Sequence, residues 1–295
     1  MDNYSNTSAI DGAEQDSRPA RALFAQPGEV LCTLNALNGF LRIAGDGSAT
    51  FDEFGEHRPR IRSFELPYSY RPGQGAPMWL QFLSEVLPNE DDRANLQEFC
   101  GSLFAPEAPG RILCLYGITA NGKTVTMDVI TRALNGVSHL SLCNIIGTGD
   151  RDRVARSALE GKRLNVGAGV DRRITRRNAG IVHALASREP VEARRLYHQP
   201  YIMSDYPRIM VEINALPYFS QGTAEVVDDF LFLEFPNRIP ESRMNRSLAS
   251  EIAKAEICGV LDWMIEGLQR MIARGWEYTP NPHAESIAAM IRRGL

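Results

Sequence analysis

The 295-residue sequence predicts an α/β protein, with a central, mostly parallel β-sheet covered by helices and a small α-rich module ahead of it. Three observations predict this. From Arg111 onward, short apolar β-type runs alternate with helical stretches, the pattern that parallel crossovers require. The apolar run RILCLYG feeds directly into a glycine-bounded loop and then a helix. Upstream, Trp79, Phe82, Leu83 and Val86 fall at helical spacing, and so do Leu96, Phe99, Leu103 and Phe104.

Residues 1–26 are polar, small and aperiodic, and are read as a disordered tail. Residues 27–105 form the expected N-terminal β-hairpin and helical module. In it, LNGFLRIAGDGSATF places two apolar runs around Gly-Asp-Gly, a hairpin signal. Pro88-Asn89 separates the two helices. Residues 106–280 form the expected core, in which KTVTMDVITRALNG reads as a helix ending before Gly136. SLCNIIG, RLNVGAGV, PRIMVEINAL and DFLFLEFP read as strands, with RVARSALE and NAGIVHALAS as helices between them. A long C-terminal helix carries the stripe Ile257, Leu261, Met264, Ile265, Leu268 and Ile272. Residues 281–295 are read as a tail.

Composition narrows the function classes. The chain is 44% hydrophobic and 23% charged, which excludes wholesale disorder and fibrous architecture. No apolar run reaches the length of a membrane span, so a membrane partner is not expected. Five scattered cysteines without zinc spacing point to reduced thiols and a cytoplasmic protein. The net charge of -4 argues against a general nucleic-acid coater. Between Arg151 and Arg195, however, twelve basic residues face five acidic ones. Charge alone leaves two readings open there: a polyanion partner, or a solvated face paired with neighbours.

The strongest local motif is Gly117-Ile118-Thr119-Ala120-Asn121-Gly122-Lys123-Thr124, followed by Val125. It matches G-x-x-x-x-G-K-[ST] in full and lies between a strand and a helix. Glycines let the backbone wrap phosphates, and the helix N-terminus adds positive potential. Lys123 would reach the β- and γ-phosphates of ATP, and Thr124 would offer its hydroxyl to Mg²⁺. The competing reading is a chance match in a glycine-rich turn.

In their order, these segments resemble the helicase domain of phage and plasmid primase–helicases, a superfamily-3 branch of the AAA+ P-loop ATPases. The resemblance runs from about Leu34 to Thr279. It rests on LNALNGFLRI, LPYSYRPGQGAPMWLQFLSEVLP, LQEFCGSLF, LYGITANGKT, EPVEARRLY, INALP, LEFP, IPE and GVLDW. It implies an ATP-binding DNA helicase-like protein acting in replication of a phage, plasmid or mobile element. It also implies a homo-oligomeric ring such as a hexamer, and single-stranded DNA in its channel. The chain offers no room for a primase domain before Leu34, so a separately encoded primase is an expected partner. Asn214 would hold the attacking water near the γ-phosphate, or is simply a turn residue before Leu-Pro. Arg194, Arg195, Tyr197 and His198 would face DNA, or form an ordinary basic turn.

The sequence departs from that family in two places. The strand text GKRLNVGAGVD puts Gly169 where the resemblance implies a carboxylate, and Asp171 follows two residues later on the same face. Asp171 is the expected acidic residue for catalysis and Mg²⁺. Asp228 and Asp229 stand where the resemblance implies paired arginine fingers. Arg172, Arg173, Arg176, Arg177 and Arg243 are alternative cations. Either the register of the active site is shifted, or this is a non-catalytic nucleotide- or DNA-binding regulatory module that oligomerises.

Overall fold

A computed structural model describes residues 28–55, 66–105, 108–168 and 173–294. The predicted tail over residues 1–26 lies outside the described residues. The chain begins with an antiparallel meander of β1 (Val30–Ala36), β2 (Gly39–Ala44) and β3 (Ala49–Glu53). The Gly-Asp-Gly turn joins β2 to β3, as its sequence predicts. Two helices follow, α1 (Pro77–Val86) and α2 (Glu90–Ser102). Asn89 separates them because its side chain caps α2, accepting from the Asp92 N–H at 3.0 Å.

The second part is built as β4 (Ile112–Tyr116), α3 (Lys123–Arg132), β5 (Val137–Ser138), α4 (Leu142–Ile145), α5 (Asp150–Ser157) and β6 (Leu164–Ala168). It continues through α6 (Arg176–Ser187), β7 (Val191–Arg194), β8 (Pro200–Met203), β9 (Arg208–Ile213) and β10 (Phe230–Glu234). The described chain closes with α7 (Leu248–Ala273) and α8 (Pro282–Arg293). Five strands form one parallel sheet in the order β10-β4-β9-β6-β5. This is the predicted α/β class, with a P-loop NTPase-like core. The chain leaves β4 for the far edge at β5, then returns to flank β4 with β9 on one side and β10 on the other. In open α/β sheets, ligands settle beyond the carboxyl ends of the strands at such a switch.

Two predicted elements differ. SLCNIIG was expected as a strand, but its residues 142–145 form the short helix α4. A brief apolar run has the same pattern in either state, and here the Asn165 side chain ties the turn before it, bonding both Leu140 N–H and Leu140 O. Residues 281–295 were expected as a tail, yet 282–293 form α8, which buries Ala284, Ile287 and Ala288. Asn281 caps it by accepting from Ala284 N–H at 2.9 Å.

The sheet is buried on both faces, so its strands alternate between two cores. Leu113, Leu115, Val166, Met210, Leu231 and Leu233 join one core, with α1, α2, α3 and α7 above it. Ile112, Cys114, Ile209, Val211, Phe230 and Phe232 join the other, with α4, α6 and α8. The first core also takes Leu34, Leu41 and Ile43 of the meander, so the N-terminal elements and the sheet share one interior. Two features hold α1 and α2 to α7. The buried Glu256 carboxylate accepts from Met78 and Trp79 N–H, both at 3.0 Å, at the start of α1. Gly101 and Gly267 let α2 and α7 touch through bare backbone: a Cβ on Gly101 would lie 2.7 Å from Met264 O.

Candidate functional site

The site grows from the end of β4. Gly117 N–H bonds Ile213 O at 3.1 Å, and Phe235 N–H bonds Tyr116 O at 2.7 Å, fixing where the loop begins. Gly117 (φ +142°) and Gly122 (φ +96°) then turn the chain back onto α3. A side chain at Gly117 would strike the Phe235 carbonyl, and one at Gly122 would meet Val86 at 2.7 Å. Two further bonds anchor the loop to the segment after β10. Asn121 Nδ2 donates to Phe235 O at 2.8 Å, and Ile239 N–H donates to Ala120 O at 2.7 Å. Among the described residues no side chain caps the N-terminus of α3, so its first N–H groups open to the cleft.

Lys123 is buried at the base of this loop. Its ammonium donates to Gly117 O at 2.6 Å, Ile118 O at 2.8 Å and Asn121 Oδ1 at 3.0 Å. All three of its donors are therefore spent on the loop. Burial lowers its pKa below the ordinary lysine value, and the negative charge of Glu212 opposes that shift. The next residue, Thr124, donates its hydroxyl to Glu212 Oε2 at 3.0 Å.

These groups line a cleft of about 1250 Å³. Thr119 to Val125 form its floor, and Glu212 and Asn214 stand at the end of β9. Phe82, Val86, Ile239 and Leu248 supply an apolar wall. Arg238, Arg243 and Arg246 bring three cations from the segment between β10 and α7. Arg243 reaches Glu85 at 3.2 Å. A flat apolar ring against one wall and a polyanion at the other end suit this division of surfaces.

The predicted residues fall into three groups. Gly117 through Val125 share one loop, and Asn214 faces the same cleft one residue beyond β9. Asp171 lies outside the described residues, as do Gly169 and Arg172. Arg194, Arg195, Tyr197 and His198 sit apart, on the β7–β8 hairpin. There Arg194 pairs with Asp150 at 2.7 Å and donates to His198 O at 2.9 Å. Arg195 pairs with Glu160 at 2.7 Å and lies over the Tyr201 ring. Tyr197, at 91% relative exposure, stands at the tip with a left-handed backbone (φ +64°), beside the exposed Leu196.

Asp228 and Asp229, read as displaced finger positions, are engaged within the chain. Asp229 pairs with His183 of α6 at 2.9 Å, and Asp228 pairs with Arg292 of α8. Glu212, Arg238 and Arg246 were missed by sequence reasoning. The signal for Glu212 was a lone carboxylate in the apolar strand RIMVEI, which a buried strand rarely carries without a partner.

A family of unknown function (DUF5906) matches residues 115–225, which run from the end of β4 past β9. Curated proteins give no match. Among solved structures, the A-form apo structure of the NrS-1 C-terminal region superposes with a TM-score of 0.56 and 10% identity, covering 88% of this chain and 71% of the other. A second apo structure of that region gives 0.54 at 10% identity, with 88% and 71% covered. At this identity the likeness is one of fold: this chain shares the architecture of the NrS-1 C-terminal region.

Proposed function

We propose that the cleft binds ATP with Mg²⁺ and that the protein is a superfamily-3-type, helicase-like component of DNA replication in a phage, plasmid or mobile element. The observation that carries this reading is the loop itself. Gly117 to Thr124 link a central parallel strand to an uncapped helix N-terminus, with Lys123 buried inside the turn and an open cleft above. Lys123 exchanges its loop carbonyls for β- and γ-phosphate oxygens when the nucleotide enters. Thr124 offers its hydroxyl to Mg²⁺, and Asn214 addresses the γ-phosphate side. Asp171 is the acidic residue this reading assigns to the attacking water. The hairpin residues Arg194, Arg195, Tyr197 and His198 meet single-stranded DNA in a homo-oligomeric ring.

Calorimetric titration of the full chain with ATP and Mg²⁺ tests the core of this reading. Saturable binding that disappears in Lys123→Ala is expected; a wild-type protein that takes up no nucleotide overturns it.

A second reading has its own support. Where paired arginine fingers are implied, the chain carries the anions Asp228 and Asp229, which pair with Arg292 and His183 and offer no positive charge to a neighbour. That favours a nucleotide- or DNA-binding oligomerisation module with slow or absent turnover. ATP turnover with and without single-stranded DNA separates the two: DNA-stimulated hydrolysis supports the motor, while binding without turnover supports the module.

A further inference from the structure

Within the nucleotide-binding reading, on which this inference rests, the cation needs a carboxylate. Mg²⁺ in phosphate sites takes one or two carboxylates, substrate oxygens and several waters. Strand β6 ends at Ala168, and β9 lies beside it with Ala168 level with Glu212. On its other side Glu212 is level with Leu115 of β4, two residues before Gly117. Neighbours in a parallel register project to the same face, so Glu212 points toward α3 and meets Thr124.

The hydrogen bond at that meeting has a direction that matters. A threonine hydroxyl has one donor and two acceptor lone pairs. Thr124 spends its donor on Glu212 Oε2, which leaves its lone pairs open to a cation. Glu212 Oε1 accepts no hydrogen bond among the described residues and borders the cleft. Lys123 does not neutralise this carboxylate by contact, because its three donors are held by the loop. The carboxylate faces the open cleft with a single hydroxyl partner, so a cation can enter beside it without breaking any other contact.

We propose that Glu212, with Thr124, holds the divalent cation that accompanies the nucleotide, and that the carboxylate has thereby moved from the end of β6 to the neighbouring strand β9. Hard oxygen donors of this kind select Mg²⁺ or Mn²⁺ over softer metals. Glu212 orients the Thr124 hydroxyl through Oε2 and leaves Oε1 for the cation or one of its waters.

The test is titration of the full chain with ATP in excess Mg²⁺ and again in EDTA, for the wild type and Glu212→Gln. Mn²⁺ replaces Mg²⁺ in a parallel set read by electron paramagnetic resonance. In the wild type, Mg²⁺ is expected to tighten ATP binding. In Glu212→Gln, ATP binding in EDTA is retained or tightened, because a negative charge beside the phosphates is removed, while cation affinity drops roughly 10–100-fold and the bound-Mn²⁺ signal is lost. The conservative Glu212→Asp is expected to regain part of the response; it also serves if the glutamine variant fails to fold. If wild-type protein binds no ATP in either buffer, the nucleotide reading itself falls. If wild type binds ATP and the Mg²⁺ response survives in Glu212→Gln, or is instead lost in Asp171→Asn, this inference alone is overturned.

Discussion

His283 Nδ1 lies 2.9 Å from Asp92 Oδ2, so the first turn of α8 is fastened to the first turn of α2 across 191 positions of sequence. The other ring nitrogen, Nε2, lies 3.0 Å from Glu234 Oε2 at the end of β10. One imidazole thus joins three elements at the sheet's carboxyl edge.

That junction sets a pH dependence. Burial pulls the His283 pKa down, but the hydrogen bonds and charges of Asp92 and Glu234 outweigh it and raise the net value above the ordinary histidine. Burial raises the Asp92 carboxyl, against hydrogen bonds from Asn281 and His283. A raised histidine contributes stability that is full below its unfolded pKa of about 6.5 and is lost as pH rises through the folded value. The raised aspartate works in the same direction, since its charged form is the penalised one. Thermal denaturation from pH 5 to 9 should show the wild type losing its advantage over His283→Gln as pH rises. An advantage that grows with pH would refute this.

Arg208 predicts a large stability loss. It is buried at the start of β9 and donates to the carbonyls of Ser102, Ala105, Ala108 and Pro109, at 2.7 to 3.3 Å. Burial brings its pKa down to about 10, so it stays charged. Arg208→Met leaves several carbonyls without donors and should cost about 3 kcal/mol in urea unfolding. Arg208→Lys should recover little, because one ammonium cannot span what a guanidinium fork does.

The α2–α7 contact predicts that added methyl groups harm. In Gly267→Ala the new Cβ would collide with the Gln97 carbonyl, and Gly101→Ala would meet the backbone of α7. Each should destabilise by about 1–3 kcal/mol despite alanine's better helix propensity, as read by urea unfolding. A stabilised variant would contradict this packing.

The proposed DNA contact of the β7–β8 hairpin can be tested at three residues. Arg194 and Arg195 already hold Asp150 and Glu160, so reversing them to Glu should abolish DNA binding and also loosen the hairpin. Tyr197 makes the cleaner probe because it is almost wholly exposed. Tyr197→Ala should weaken oligonucleotide binding by about 1–3 kcal/mol with unchanged thermal stability. Fluorescence anisotropy reads this; unchanged affinity removes the hairpin from the DNA surface.

Much of the fold was legible. Strands β4, β6, β9 and β10 and helices α1, α2, α3, α5, α6 and α7 all fall on segments whose apolar period announces them. The short elements were not. Helix α4 hides in an apolar run of strand length, and α8 lies in a stretch whose apolar side becomes evident only where it covers β10. The phosphate-type loop was legible because the spacing of Gly117, Gly122, Lys123 and Thr124 is a local property of the sequence, with both glycines at positive φ.

Periodicity and the Gly117–Thr124 spacing are local properties, so the chain alone determined the α/β class, the strand–loop–helix unit and the position of Lys123. Partners far apart in sequence were decided only by the folded sheet. Thr124 meets Glu212 across 88 positions because β9 is inserted beside β4, and Asp229 meets His183 across 46 because α6 packs under the turn before β10. No local pattern encodes such pairs: strand order sets them, and strand order is chosen by which faces bury the most apolar surface together.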